Sequence, residues 1–313
     1  MLFRSFQVSL PKVEYPRPNI HAALRLRSKG EEDKLAAGLA MLHLEDPTFH
    51  HRVDDDVHQT IASGQGEIHL QVIVERLARR FGVQVVDARI RRVELSARRA
   101  VVEQHPRVLA AVAIHPNEAP TYEAAGELEA AIAVMDELAA HPRVRAIGET
   151  GLDFFRTDAE GQPAQYRSFE AHIALAKKHG IAMQIHDRDA HDEVLRVLES
   201  VGAPEKTVFH CFSGDAEMAR IAADRGYYLS FAGNITFKNA QNLRDALAVT
   251  PLERILVETD APFLTPVPHR GRPNAPYLVP ITLRFMADEL GLPVDELAAQ
   301  VAANTIEVYG TFA

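Results

Sequence analysis

The sequence predicts an α/β protein in which an incomplete TIM-type (β/α) barrel follows a small α+β domain of the ferredoxin-like kind. Two observations predict the barrel. Apolar strands alternate with helices from about residue 98 onward, and several of these strands end in residues that can bind metal. Residues 19–90 have another order, strand, helix, strand, strand, helix, strand, which is typical of a split βαβ domain.

Composition sets the broad class. The chain has 313 residues, of which 47% are hydrophobic and 25% charged, as in globular proteins with a sizeable core. A net charge of −9 argues against a surface that coats nucleic acid, although a local basic groove stays possible. Cys211 is the single cysteine, so no intramolecular disulfide can form. Without a signal pattern or an apolar run near ~18 residues, we expect a cytoplasmic protein that binds no membrane.

The N-terminal part is predicted to begin irregularly, over residues 1–18, because its prolines favour extended chain. The ferredoxin-like order then occupies residues 19–90, with helices at 29–44 and 67–81. In the first helix, Leu35, Leu39 and Leu42 share one face. A short linker, 91–97, is expected before the barrel domain at 98–313.

Several motifs of the N-terminal part resemble the third domain of elongation factor G, in the same order and over roughly residues 16–90. They are Glu31-Glu32-Asp33-Lys34-Leu35, Leu44-Glu45-Asp46-Pro47-Thr48-Phe49 and the run from Gln59 to Leu70. In that family a GTPase domain precedes this module. This chain has no G-x-x-x-x-G-K-[ST] phosphate loop, so we expect it to bind no GTP.

The barrel part should contain about six strands, whereas a complete barrel has eight. Four of its strands end in a possible metal ligand, namely Glu149, His186, His210 and Asp260. Because parallel strands direct their carboxyl ends to one face, these residues predict a metal site there. Nitrogen and carboxylate ligands together suit a divalent ion such as Mg, Mn or Zn. We expect the strand before Glu149 to end at that residue, and residues 124–140 to form one helix.

This part resembles the TatD family of metal-dependent nucleases over about residues 96–313. The matching motifs are Ile114-His115-Pro116-Asn117, Ile147-Gly148-Glu149-Thr150-Gly151-Leu152-Asp153, Ile185-His186-Asp187-Arg188-Asp189-Ala190, Phe209-His210-Cys211-Phe212-Ser213-Gly214, the run from Glu258 to Leu264, and Arg270-Gly271-Arg272-Pro273-Asn274. The resemblance implies a TIM-type barrel that cleaves DNA phosphodiester bonds through a metal-activated water.

The resemblance also implies roles for individual residues. Glu149 and Asp260 are the expected catalytic carboxylates and, with His186 and His210, the expected metal ligands; Asp260 can also accept a proton from water. Among their neighbours, Arg188 is a candidate for phosphate contact, Asp153 for orienting a ligand and His115 for contacting substrate. The role of Glu258 stays open. We expect Cys211 to be packed, and His172, His179 and His191 to lie at the surface.

One departure from the family pattern concerns an Asp-x-His-x-His strand at the family's N-terminus. No His-x-His occurs in this chain, so we expect a truncated barrel. One metal position should then keep Glu149, His186 and His210, and another at most Glu149 and Asp260. The open barrel edge predicts self-association.

Several alternatives stay open. The barrel could hydrolyse another ester or amide, or the chain could be a catalytically impaired or inactive fusion or scaffold. It could also be a ribosome-associated module with a passive barrel remnant. The abrupt junction between the two parts is compatible with a natural fusion and with the joining of two unrelated fragments during sequence assembly.

Overall fold

The computed structural model describes residues 20–26, 30–54, 59–65, 67–87, 105 and 107–312. The chain divides into two compact units, Met1–Gln104 and His105–Ala313. The expected irregular segment 1–18 and the expected linker 91–97 lie outside the described residues.

The described part of the N-terminal unit forms an antiparallel sheet with two helices. Its elements are β1 (Ile20–Leu26), α1 (Glu32–Glu45), β2 (His50–Asp54), β3 (Gln59–Gly64), α2 (Glu67–Phe81) and β4 (Val85–Asp87). The strand order is β2-β3-β1-β4, and β3 is antiparallel to both of its neighbours. Strand β1 therefore lies between β3 and β4, to which it is also antiparallel.

The core of this unit is built from the apolar faces of both helices. Leu35, Leu39 and Leu42 are at most 3% exposed, which confirms the face predicted for α1. Gly38 lies on the same helix where α2 comes close. A Cβ atom at Gly38 would lie 2.8 Å from Cδ2 of Leu77, so the absence of a side chain permits this packing.

The described part of the C-terminal unit alternates strands and helices. Its elements are β5 (Ala110–Val112), α3 (Ala119–Ala124), α4 (Leu128–Ala139), β6 (Val144–Asp153), α5 (Gln162–His179), β7 (Ala182–Arg188), α6 (His191–Val201), β8 (Thr207–Phe209), α7 (Ala216–Asp224), β9 (Tyr228–Phe231), α8 (Gln241–Val249), β10 (Ile255–Val257), α9 (Val279–Leu290) and α10 (Val294–Tyr309).

Over residues 107–312, six strands form one parallel sheet in the order β10-β9-β8-β7-β6-β5. Each strand lies beside the next one along the chain, as in a TIM-type barrel. One layer of the core takes a side chain from each of five consecutive strands, together with Val308 of α10; these are Ala146, Ala182, Val208, Tyr228 and Leu256. The parallel α/β architecture and the number of strands agree with the expectation.

The bounds of two expected elements are wrong. The helix expected over residues 124–140 begins only at Leu128, because Gly126 adopts a left-handed conformation (φ 66°) between α3 and α4. Strand β6 does not end at Glu149 but continues to Asp153, where it still pairs with β7. None of the described helices combines the length and apolar character that a membrane span requires.

Candidate metal centre

Strands β5 to β10 bring the predicted ligands to one end of the sheet. His115 follows β5, Glu149 lies in β6, His186 lies in β7, and His210 comes directly after β8. Asp260 lies three residues beyond the end of β10. Because all these strands are parallel, residues near their carboxyl ends share one face.

Glu149 is the centre of this group. One of its carboxylate oxygens, Oε2, lies 3.0 Å from Nδ1 of His186 and 3.0 Å from Nε2 of His210. Its other oxygen lies 3.6 Å from Nε2 of His115. Asp260 is more distant, since its Oδ1 lies 3.8 Å from Nε2 of His210. All four predicted ligands and His115 therefore belong to one connected cluster.

Two glycines allow Glu149 to occupy this position. The pairing of β6 with β7 shifts between Ile147 and Thr150, which breaks the regular alternation of side chains beside Glu149. A Cβ atom at Gly148 would lie 2.4 Å from Cβ of Gln184, and one at Gly151 would lie 2.1 Å from the carbonyl oxygen of His186. The glycines thus permit close approach of β7, rather than the loop that the sequence suggested.

The cluster combines strong and opposite charges. Burial alone would raise the pKa of Glu149. Contacts with His186 and His210 nevertheless hold that pKa well below its usual range. Burial favours neutral His210, but Glu258 and Glu149 raise the pKa of that imidazole to about 11. Burial raises the pKa of Asp260 to about 6. The charges of Glu258 and Glu149 add to this effect, and the charge of His210 opposes it. Three carboxylates thus surround His210, a distribution of charge that favours a bound cation.

Asp153 contacts His186 on the side away from Glu149. Its Oδ2 lies 3.1 Å from Nε2 of His186 and accepts a hydrogen bond of 3.0 Å from the side-chain amide of Asn117. The backbone N–H of Arg156 donates to its other oxygen at 2.8 Å. Burial opposes the charge, but these hydrogen bonds lower the pKa of Asp153. The carboxylate is 1% exposed and so is well placed to orient the imidazole, the role expected for it.

Glu258, whose role the sequence left open, supports His210 in a similar way. Its carboxylate lies 2.9 Å from Nδ1 of His210, and it accepts a hydrogen bond of 3.0 Å from the backbone N–H of Cys211. The Cys211 thiol is partly buried, and burial raises its pKa. Glu258 directly follows β10, and its backbone N–H donates to the Phe231 carbonyl oxygen at 3.0 Å, which keeps it aligned with the end of β9.

Arg188 lies beside the cluster without joining it. Its guanidinium is 4.0 Å from the centroid of the Phe155 ring. In the described part of the chain no side-chain hydrogen bond or ion pair engages this guanidinium, so its donors are available to a ligand.

The expectation that His172 lies at the surface is wrong. The residue is fully buried in α5, where its Nε2 accepts a hydrogen bond of 3.0 Å from the backbone N–H of Ile114. On its other side, Nδ1 donates to the Ser168 carbonyl oxygen at 2.6 Å. Burial lowers the pKa of His172 to about 4. The buried neighbours Phe169 and Ala176, three residues before it and four after, were the available signal.

The donor set fits a divalent metal. His115, Glu149 and His186 each offer a ligand atom, and these three atoms all lie within 4.8 Å of one another. Two imidazole nitrogens and one carboxylate oxygen are a usual partial set for a catalytic transition metal. His115, expected only to contact substrate, therefore also has the position of a ligand.

The chain is similar to proteins that are named as metal-dependent hydrolases. The family model described as TatD related DNase matches residues 42–310, so the match begins within the N-terminal unit. The chain is 45% identical over 208 residues to the uncharacterized metal-dependent hydrolase TatD of Mycobacterium tuberculosis, covering 65% of this chain and 77% of that protein. It is 33% identical over 255 residues to the uncharacterized metal-dependent hydrolase YabD of Bacillus subtilis, covering 81% and 98%.

Among solved structures, that of YjjV, a TatD homologue from Escherichia coli K12, superposes with a TM-score of 0.63 at 27% identity. The match covers 70% of this chain and 83% of that one. The parallel α/β sheet and a donor set that could hold a metal, together with the family match and these relatives, identify a metal-dependent hydrolase. The chain belongs to the TatD family.

Proposed function

We propose that this protein cleaves phosphodiester bonds in DNA with a divalent metal ion held at the carboxyl ends of its parallel strands. The observation that carries the proposal is the Glu149 carboxylate, which lies 3.0 Å from imidazole nitrogens on both His186 and His210. The family model that matches the chain is itself described as a DNase.

The residues have distinct tasks in the proposed reaction. Glu149, His186, His210 and Asp260 hold the metal, with His115 as a further ligand. When bound, the metal supplies Lewis-acid activation of water and of the phosphoryl group. Asp260 accepts the proton that the attacking water loses, because its nearest imidazole is farther away, at 3.8 Å, than that of any other carboxylate in the cluster.

Three further residues complete the proposed site. Asp153 and Glu258 hold the two imidazoles at their other nitrogens, which fixes the orientation of each ring. Arg188 contributes free N–H donors for phosphate oxygens, with a planar geometry that suits them.

The test is hydrolysis of a fluorescent DNA oligonucleotide and of bis-p-nitrophenyl phosphate with added Mg, Mn or Zn. We expect metal-dependent cleavage of both, lost by at least a hundredfold in Glu149→Gln and in Asp260→Asn. Glu253→Gln and Asp245→Asn are matched controls because both side chains are exposed on other parts of the unit. Cleavage of DNA that survives Glu149→Gln would refute the proposal, and turnover of carboxylic esters alone would favour the alternative substrate class.

For the N-terminal unit we propose a ferredoxin-like module related to the third domain of elongation factor G, which binds no GTP. The strand order β2-β3-β1-β4, with a helix after β1 and another after β3, supports this assignment.

We also propose a cytoplasmic location, which cell fractionation would test. Self-association through an open barrel edge is a further proposal, which sedimentation would test.

A further inference from the structure

Two arginines at the carboxyl end of the sheet share an unusual environment. Arg188 lies over the ring of Phe155 at 4.0 Å, and Arg270 lies over the ring of Phe237 at 4.3 Å. Arg188 is flanked in the sequence by Asp187 and Asp189, yet neither its guanidinium nor that of Arg270 forms an ion pair or a side-chain hydrogen bond within the described residues. The ring holds one face of each guanidinium and leaves its N–H edges free.

The two pairs come from strands on either side of β8. Arg188 and Phe155 come from the ends of β7 and β6, with Phe155 two residues after Asp153. Phe237 follows β9, and Arg270 belongs to the loop after β10. Strand β8, which positions His210, lies between the two pairs in the sheet. Two strand spacings separate β7 from β9, or about 10 Å.

The Arg270 loop is fixed to the centre. The buried Asn274 side chain donates to the carbonyl oxygens of Thr259 and Phe263, each at 2.7 Å, and so ties the loop to the turn that carries Asp260. The backbone N–H of Val267 donates to Oγ1 of Thr236 at 2.9 Å, which joins the same loop to the segment before Phe237. Arg270 is therefore presented from an ordered loop at a set position beside Asp260.

The negative charge of the site means that a polyanionic ligand would need nearby cations in order to bind. The cluster contains four carboxylates, Glu149, Asp153, Glu258 and Asp260, and the whole chain has a net charge of −9. A polyanion would be repelled by such a surface except where cations meet it. Uncommitted guanidinium groups after strands on either side of β8 would offset that repulsion and bind phosphate oxygens.

We infer that Arg188 and Arg270 bind the phosphates on either side of the one that is cleaved, so that the site recognises a nucleic-acid chain rather than an isolated phosphodiester. This inference rests on the proposed function for its substrate. The exposed ring of Phe155, with 61% of its surface accessible, also offers a stacking surface to a base beside the Arg188 phosphate.

The experiment measures binding of a short single-stranded oligonucleotide by fluorescence anisotropy across a range of NaCl concentrations, with Mn present. The Asp260→Asn background prevents cleavage during the titration. Arg188→Met and Arg270→Met keep the packing on the ring and remove the charge. We expect each to weaken binding about tenfold and to reduce the salt-dependence slope by about 0.7, the value for one phosphate contact on a single strand.

Arg254→Met is the matched control. Arg254 lies over the Tyr228 ring at 4.8 Å, but at the amino-terminal ends of β9 and β10, away from the site. It should leave both affinity and slope unchanged. Arg188→Lys and Arg270→Lys should restore most of the slope, since a point charge is retained, which a loss of folding would not do.

A second readout separates this inference from the proposed function. In the protein that keeps Asp260 and can cleave, Arg270→Met should lower kcat/KM for the oligonucleotide about tenfold. The same substitution should leave kcat/KM for bis-p-nitrophenyl phosphate unchanged. Three results would overturn the inference. They are salt-dependence slopes that stay unchanged in both arginine variants, an equal loss of affinity and slope in Arg254→Met, and no oligonucleotide binding at all. Reduced slopes in a protein that cleaves no phosphodiester would instead support the phosphate sites and refute the nuclease.

Discussion

Buried His172 should make the C-terminal unit sensitive to acid. An ordinary histidine has a pKa of 6.5, whereas burial lowers that of His172 to about 4 in the folded protein. The unfolded chain therefore binds this proton more tightly than the folded chain does. The stabilisation is fully present above pH 6.5, decreases as the pH falls, and is lost completely once the pH passes below 4.

The size of the effect follows from the shift. Each pKa unit corresponds to about 1.4 kcal/mol, so a shift of about 2.5 units gives a maximum loss of roughly 3 kcal/mol between pH 6.5 and pH 4. A glutamine can accept from the Ile114 N–H and donate to the Ser168 carbonyl without titrating. His172→Gln should therefore be about 1–2 kcal/mol less stable at pH 7, through imperfect geometry, but should lack the acid-dependent loss.

Urea unfolding followed by far-UV circular dichroism between pH 7 and pH 4 measures this difference, since the chain has no tryptophan. Hydrogen exchange in peptides that contain Ile114 assigns the transition to the C-terminal unit. Carboxylates titrate in the same range, so the relevant quantity is wild type minus variant. Equal losses of stability in both proteins from pH 6.5 to pH 4 would refute the reasoning.

Three further predictions concern other parts of the unit. Gly151→Ala should lower the free energy of unfolding, measured in urea, by more than about 2 kcal/mol, because its Cβ would lie 2.1 Å from the His186 carbonyl oxygen and its φ is 138°. Gly180→Ala should lower the free energy of unfolding less, since Gly180 has a φ of 62° and nothing lies within 4 Å of its Cβ position. Asp215→Ala should lower the free energy of unfolding by about 1 kcal/mol, because the Asp215 side chain accepts hydrogen bonds from the N–H groups of Glu217 and Met218 at the start of α7. Asp215→Asn should retain most of this stabilisation, since its amide oxygen can accept the same hydrogen bonds. Mn at a hundred times its dissociation constant should stabilise the protein by about 2.7 kcal/mol in thermal melts, reversibly with EDTA, and Glu149→Gln should remove the effect. An unchanged melting temperature in wild type would contradict the metal site.

Much of the parallel sheet could be predicted because its information is local. Continuous apolar runs define each strand, and a histidine or carboxylate at the end of a parallel strand must lie on one face with the others. His186 and His210 come together for this reason, whereas Glu149 lies four residues before the end of β6. The contact of Asp153 with His186 agrees with the orienting role that the family resemblance implied for it.

Other features depend on tertiary contacts that the sequence does not show. The run from Gly148 to Gly151 suggested a loop, but its glycines serve the close approach of β7. Glu258 joins the cluster through the imidazole of His210, which follows a different strand, β8, and no local pattern shows that contact. His115 approaches Glu149 after a turn in which the N–H of Asn117 donates to its Nδ1 at 3.1 Å.

The most direct test of the metal centre is calorimetric titration of the purified, metal-free protein with Mn or Zn, at a pH above 7. We predict saturable binding of at least one ion per chain that is lost in Glu149→Gln and weakened at least tenfold in His210→Gln, with Glu253→Gln unchanged. A folded wild-type protein that binds no divalent ion, or a Glu149→Gln variant that binds as well as wild type, would contradict the assignment of this cluster as a metal site.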